Sequence, residues 1–127
     1  MNSPADPAMT VTATCHCGAV SLTVATAPDK VTSCNCSICR RYGAIWAYYH
    51  PNDVSLPDEA ALDGYIQGDR SLTTWRCKTC GCVTHWTPTD PALGRMAVNI
   101  RLLPPEILAA AHIRRFDGAD TWEFIDE

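Results

Sequence analysis

The sequence predicts an all-β fold, dominated by short strands and assembled around two zinc sites made of cysteine. Runs rich in β-branched and aromatic residues recur between turn signals, whereas the helical candidates are short. In addition, eight cysteines fall into three close groups in a chain of 127 residues. A chain of this length has room for one modest core, which metal ligands can reinforce.

The predicted strands begin with a hairpin. Thr10–Cys15 and Ala19–Thr26 are β-branched runs on either side of the tetrapeptide CHCG, so the turn between them holds two thiols and a glycine. An aromatic strand is expected at Ala44–His50. Turn signals such as GDR, TPTDP and FDG separate the later strands, which are predicted at Gly64–Gln67, Leu72–Arg76, Val83–Thr87, Met96–Leu102 and His112–Phe116.

Two segments favour one-turn or two-turn helices. They are Pro57–Leu62 and Pro104–Ala111, and the second has proline at its start followed by good helix formers. Residues 10–127 are expected to form one zinc-binding domain. Residues 1–9 are expected to be a disordered leader, because they lack the basic start and apolar segment of a secretory signal.

Composition restricts location and partners. No apolar run approaches the roughly 18 residues of a membrane span, so we expect a cytoplasmic protein without a membrane partner. A formal net charge of −4 argues against a nucleic-acid partner, because such proteins usually carry a basic surface. In a reducing cytoplasm thiols stay free, and neighbours in C-x-C cannot form a disulfide without strain. Metal binding is therefore expected instead of disulfides.

One tetrahedral zinc site is predicted from two pairs of cysteines. Cys77 and Cys80 lie in RCKTCGC, a zinc-knuckle sequence in which Gly81 lets the chain turn away from the metal. The remaining pair is Cys15 and Cys17. Together the four predict a closed, structural zinc site that ties the N-terminal hairpin to the middle of the chain and closes a long loop.

The stretch CNCSIC places Cys34, Cys36 and Cys39 on one loop. Three ligands leave the fourth position of a second zinc to water, to substrate, or to a residue from elsewhere in the chain. Cys82 is the thiol left over and is a candidate for that position. A zinc with a free position can bind an incoming thiol as the nucleophilic thiolate, so the three cysteines are candidate catalytic ligands.

The neighbours of this stretch allow two interpretations each. Arg40 and Arg41 can hold a carboxylate or lower a thiol pKa, or they can simply offset the thiolate charge, which we favour. Trp46, Tyr48 and Trp86 can line a pocket beside the metal, but aromatic residues that alternate along strands are expected in the core.

Four segments, CHCGAV, CNCSICRRYGAIW, YIQGD and RCKTCGCVTHW, resemble in order and separation the glutathione-dependent formaldehyde-activating enzyme family, which includes centromere protein V. The resemblance implies several coiled antiparallel β-sheets, with a structural zinc at the residues matching Cys15, Cys17, Cys77 and Cys80 and a catalytic zinc at those matching Cys34, Cys36 and Cys39.

The resemblance also implies carbon-sulfur lyase chemistry on the adduct of glutathione and formaldehyde, S-(hydroxymethyl)glutathione. The chain departs from the family's minimal pattern of seven cysteines, because Cys82 is an eighth. If Cys82 completes the second site, that zinc is structural or must lose a ligand before substrate enters. The competing interpretation is a non-catalytic, zinc-stabilised protein-interaction module.

Overall fold

The computed structural model of the protein describes residues 10–127, and within them eleven strands form two sheets. The strands are β1 Val11–Thr14, β2 Ser21–Val24, β3 Lys30–Cys34, β4 Trp46–Tyr49, β5 Val54–Ser55, β6 Leu62–Ile66, β7 Leu72–Cys77, β8 Val83–Pro88, β9 Met96–Asn99, β10 His112–Phe116 and β11 Phe124–Asp126. The α-helices of this range are α1 Ser37–Tyr42 and α2 Pro105–Ala110. The predicted β-dominated fold class is confirmed. The leader expected at residues 1–9 lies outside the described residues.

The strands are divided unequally between the sheets. The small sheet has the order β1-β2-β5, and the large sheet has the order β11-β10-β3-β4-β9-β8-β7-β6. Within the described residues every pair is antiparallel except β3 and β10, which run parallel and place Phe116 beside Cys34. The end of β10 therefore lies next to the stretch that carries three of the cysteines. Neither helix of residues 10–127 has the length and apolar character needed to cross a membrane.

The main core packs the small sheet against one face of the large sheet. Side chains alternate along a strand, so β2 and β9 each send every second residue into this layer. Helix α2 closes one side of the layer with Ile107 and Leu108. The fully buried members on the strands are Ala13, Leu22, Val24, Val31, Ala47, Met96 and Val98.

The opposite face of the large sheet carries a second, aromatic cluster. Trp46 and Trp86 are buried there with Ala97, and Cys39 and Tyr42 pack against them. Because Cys39 and Tyr42 belong to α1, this helix covers the aromatic face. The stretch with three cysteines therefore sits over the aromatic cluster and away from the main core.

Two predicted elements differ in the structure. The helix expected at Pro57–Leu62 is a short 3-10 turn at Glu59–Ala61, because Leu62 already pairs with Cys77 at the start of β6. The strand expected at Met96–Leu102 ends at Asn99, whose side chain accepts a hydrogen bond from the Arg101 N–H and begins another 3-10 turn. The sequence did not predict β3, β5, β11 or α1.

Candidate metal centres

The first cysteine group consists of Cys15, Cys17, Cys77 and Cys80, whose Sγ atoms all lie within 4.8 Å of one another. The Sγ of Cys17 lies 3.6 Å from that of Cys15 and 3.6 Å from that of Cys77. A tetrahedral zinc with Zn–S bonds of about 2.3 Å separates its sulfurs by about 3.8 Å. The four thiols are thus already spaced as ligands of one tetrahedral metal ion.

Backbone N–H groups orient the sulfurs of the first cysteine group. The Val20 N–H donates to the Cys15 Sγ at 3.3 Å, and the Cys80 N–H donates to the Cys77 Sγ at 3.4 Å. Gly81 adopts a left-handed conformation with φ of 83° and donates its N–H to the Cys77 carbonyl, which is the turn that glycine permits. Such donors stabilise a thiolate, the form that binds metal.

The second cysteine group consists of Cys34, Cys36 and Cys39, whose Sγ atoms also lie within 4.8 Å of one another. No fourth Cys, His, Asp or Glu side chain from residues 10–127 joins them. The start of α1 creates the group. The thiol of Cys36 caps the helix by accepting the Cys39 N–H at 3.4 Å, and the Cys36 N–H donates to the Cys34 Sγ at 3.5 Å. Because its three ligands are also thiols, the second group suits the same metals as the first group, such as zinc.

An indole group contacts the second cysteine group from the sheet. Trp46 is buried in the aromatic cluster, and its Nε1–H donates to the Cys39 Sγ at 3.3 Å. The Tyr48 ring meets the Trp86 ring edge-on with centroids 6.3 Å apart, and the Arg95 guanidinium lies 4.9 Å from the Tyr48 centroid. Trp46 and Trp86 are core residues, as expected, and Trp46 also supports a thiol, which sequence reasoning missed.

The thiols of the second cysteine group differ in how readily they lose a proton. The contact with the Cys39 thiol lowers the pKa of Cys34 to about 5 against the effect of burial, and the N–H groups of Cys36 and Gly118 contribute. The same contact, together with burial, raises the pKa of Cys39. A metal ion that binds all three sulfurs must therefore displace the proton of Cys39, so its affinity falls as the pH falls.

Cys82 lies with the first cysteine group and not with the second. It packs with Cys80 against the buried cluster of Cys15 and Cys77, and its thiol contacts the Cys80 thiol and the His16 N–H. The Cys77 N–H donates to the Cys82 carbonyl at 2.9 Å. This bond fixes Cys82 at the exit of the knuckle. Of the candidates for the fourth position of the second group, Cys82 is thus the one that the structure places elsewhere.

A cavity of about 250 Å³ lies beside α1. It is lined by Ser37, Ile38, Arg41, Tyr42, Tyr65 and Gln67. The first of these residues follows Cys36 directly, and the last two come from the YIQGD segment. Arg40 and Arg41 are exposed in the last turn of α1, where cations interact favourably with the helix dipole. Arg41 also donates to the Ser37 carbonyl at 2.9 Å, so it is held at the cavity.

Comparisons with known proteins agree with this arrangement. A sequence model of the family described as glutathione-dependent formaldehyde-activating enzyme matches residues 10–113, which contain both cysteine groups. The fold is similar to the crystal structure of a Rhodobacter sphaeroides protein, a structural genomics target, with a TM-score of 0.66 and 32% sequence identity over 80% of this chain and 98% of that chain. The chain therefore belongs to the glutathione-dependent formaldehyde-activating enzyme family.

Proposed function

We propose that the protein is a zinc-dependent carbon-sulfur lyase that makes or breaks the bond between a glutathione-like thiol and a small aldehyde such as formaldehyde. The observation that carries this proposal is the second cysteine group, which has three ligands where the first has four. Structural zinc sites are closed by four protein ligands, whereas catalytic zinc sites keep one position for water or substrate.

Each group would hold one zinc ion, which gives two per chain. In this assignment the first cysteine group is structural and the second cysteine group binds the catalytic ion. Cys34, Cys36 and Cys39 would hold that ion, which as a Lewis acid would favour the nucleophilic thiolate form of an incoming thiol. The Cys36 N–H, the Cys39 N–H and the Trp46 indole N–H each donate to one ligand sulfur, and so keep the three thiolates oriented.

The cavity beside α1 suits the body of a glutathione-like thiol. Such a molecule carries two carboxylates and two amides, and Arg41, Tyr65 and Gln67 offer a cation, a hydroxyl and an amide at the cavity wall. Guanidinium groups bind carboxylates well because both are planar and can form two parallel hydrogen bonds. Arg41 is therefore the candidate residue for binding a substrate carboxylate.

The reaction needs no further reactant. The thiol loses its proton, its sulfur attacks the carbonyl carbon of the aldehyde, and the π electrons of the carbonyl move to the oxygen, which takes up a proton. The product is the hydroxymethyl thioether, and the reverse sequence releases thiol and aldehyde.

Glutathione and free thiols belong to a reducing compartment, and the eight cysteines form no disulfide in residues 10–127. We infer that the protein acts in the cytoplasm.

The test measures exchange of formaldehyde with S-(hydroxymethyl)glutathione by NMR, using zinc-loaded protein. The wild-type protein should accelerate the exchange, Cys39→Ser should abolish the acceleration, and Cys82→Ser should retain it. The cobalt-loaded protein should change its absorption when glutathione is added, because the thiol enters the metal's coordination sphere. Unaccelerated exchange together with an absorption spectrum indifferent to glutathione would contradict the proposal and favour a zinc-stabilised interaction module.

A further inference from the structure

The hairpin of β10 and β11 lies against the second cysteine group. Its loop, Asp117–Glu123, follows directly on Phe116, which is beside Cys34 in the parallel pairing of β10 with β3. The stretch that matches the family ends at residue 113. The hairpin loop is therefore outside the matched residues, although it reaches the site.

Gly118 is the closest approach of this loop to a ligand sulfur. A Cβ atom at residue 118 would lie 2.6 Å from the Cys34 Sγ and 3.2 Å from the Cys36 Cβ. Real Cβ atoms essentially never approach other heavy atoms within 3.0 Å. The backbone at residue 118 is outside the left-handed region, so the glycine is required by the space beside Cys34 and not by its own conformation.

A side-chain amide joins the hairpin to the cysteine loop. Asn35 stands between Cys34 and Cys36, and its Nδ2 donates to the Asp117 Oδ1 at 3.0 Å. Its Oδ1 accepts the Ala119 N–H, also at 3.0 Å. The second carboxylate oxygen of Asp117 accepts hydrogen bonds from the N–H and hydroxyl of Thr121. The loop is thus held both internally and to the ligand stretch.

Trp122 covers the outer side of Gly118. Its Cζ3 would lie 3.4 Å from a Cβ atom at residue 118, and its ring meets the Phe116 ring edge-on with centroids 5.1 Å apart. Trp122 has a φ of 62°, a left-handed conformation that is strained for a bulky residue. Strain of this kind persists where the surroundings fix it and is common at functional sites.

We propose that the β10–β11 hairpin is one wall of the second cysteine group and that Gly118 is the positioning residue for Cys34. The backbone at residue 118 sets how far the Cys34 sulfur can move, and the Trp122 ring supports it from outside. With this side covered, the incoming thiol approaches from α1, where the cavity lies. The direction of approach rests on the proposed lyase function, but the positioning of Cys34 does not.

The test compares Gly118→Ala with Gly64→Ala. Gly64 is a matched control because a Cβ there would lie 2.9 Å from the Thr73 Cγ2 and 2.9 Å from the Trp75 ring, on a strand at the far edge of the large sheet. Release of each ion is titrated with a chelator, and the second ion is identified as the one that Cys39→Ser lacks. Cobalt-loaded protein reports thiolate ligation through its charge-transfer absorption.

Gly118→Ala should lower the chelator concentration that releases the second ion by at least roughly tenfold, the usual effect of disturbing a group that supports a metal ligand. It should also weaken the charge-transfer band. The first ion should be unaffected, and Gly64→Ala should keep the second ion as the wild type does. Asp117→Ala removes the hydrogen bond to Asn35 without adding atoms, so it can be measured even where Gly118→Ala does not fold. It should loosen the same ion.

Wild-type retention of the second ion in both hairpin variants would overturn the proposal. These readouts are independent of catalysis. An inactive wild type whose second ion is loosened by Gly118→Ala would contradict the lyase function and leave the positioning of Cys34 supported. An active wild type whose second ion is retained equally well in both variants would support the lyase function and contradict the positioning of Cys34.

Discussion

The two cysteine groups differ in how far apart their ligands lie along the chain. In the first cysteine group, Cys17 and Cys77 are in contact although 60 residues separate them, and the group joins the hairpin of the small sheet to the end of β7 in the large sheet. The second cysteine group comes from a single short stretch at the start of α1. A crosslink between distant segments restricts the unfolded chain more than a local one does, so a metal ion bound by the first group would stabilise the fold more than one bound by the second.

Burial separates the groups only in part. Cys15 and Cys77 are 3% and 1% exposed and pack with Val20 and Leu62 in a cluster of their own. All three members of the second cysteine group are half-buried, so solutes can reach them. Cys17 of the first cysteine group is exposed, however, and Cys80 is half-buried, so the number of ligands separates the two groups more clearly than burial does.

The largest expected effect comes from removing a ligand of the first cysteine group. Closing a loop of 60 residues is worth about 4 kcal/mol in the chain-entropy treatment of crosslinks, whereas closing a loop of about five residues is worth about 2 kcal/mol. In zinc-loaded protein, Cys77→Ser should lower the free energy of unfolding by about 4 kcal/mol or more, and Cys39→Ser by about half of that. Denaturant titration measures both values, and the reverse order would show that the second group is the structural one.

The division of cysteines into groups could be predicted because ligand spacing is written in the covalent chain. A knuckle such as RCKTCGC needs a second pair, and CHCG supplies one. Several strands were also readable from their β-branched residues. His112–Phe116 has the predicted bounds in the structure, and Leu72–Cys77 and Val83–Pro88 each extend one residue beyond them.

Other features belong to segments too short to show a pattern, or depend on tertiary contacts. The six residues of α1 are too few to show a helical period, and its ends are set by the Cys36 thiol and by Gly43 in a left-handed conformation. Counting ligands to four made Cys82 a candidate for the second group, since a sequence does not show which way a sulfur faces. In the sequence Gly118 is only part of a turn signal, and its role depends on a strand pairing between residues more than 80 positions apart.

A smaller effect is expected from Cys82→Ser. The serine hydroxyl can replace the thiol in its contact with Cys80, so release of the first ion by a chelator should change by less than roughly tenfold, the equivalent of one hydrogen bond of about 1 kcal/mol. Release of the second ion should not change, because Cys82 packs with the first cysteine group. Zinc content and chelator titration measure both. Loss of the second ion in this variant would make Cys82 its fourth ligand and remove the difference between the groups.

The smallest expected effect tests whether the aromatic cluster supports the second cysteine group. Trp46→Phe keeps a buried ring but removes the indole N–H that donates to the Cys39 Sγ at 3.3 Å. A hydrogen bond to sulfur is weak, and a net loss of about 0.5–1 kcal/mol corresponds to roughly twofold to fivefold easier release of the second ion.

Trp75→Phe is the matched control for this variant, because its indole N–H donates to the Thr87 hydroxyl at 2.9 Å and not to a thiol. Both variants lose one indole hydrogen bond and a similar ring volume, so they should lose similar free energy of unfolding. Only Trp46→Phe should ease release of the second ion. Equal chelator sensitivity of that ion in the two variants would mean that Trp46 contributes packing alone and that its N–H does not support the second cysteine group. The shape of that group would then depend on α1 and on the β10–β11 hairpin.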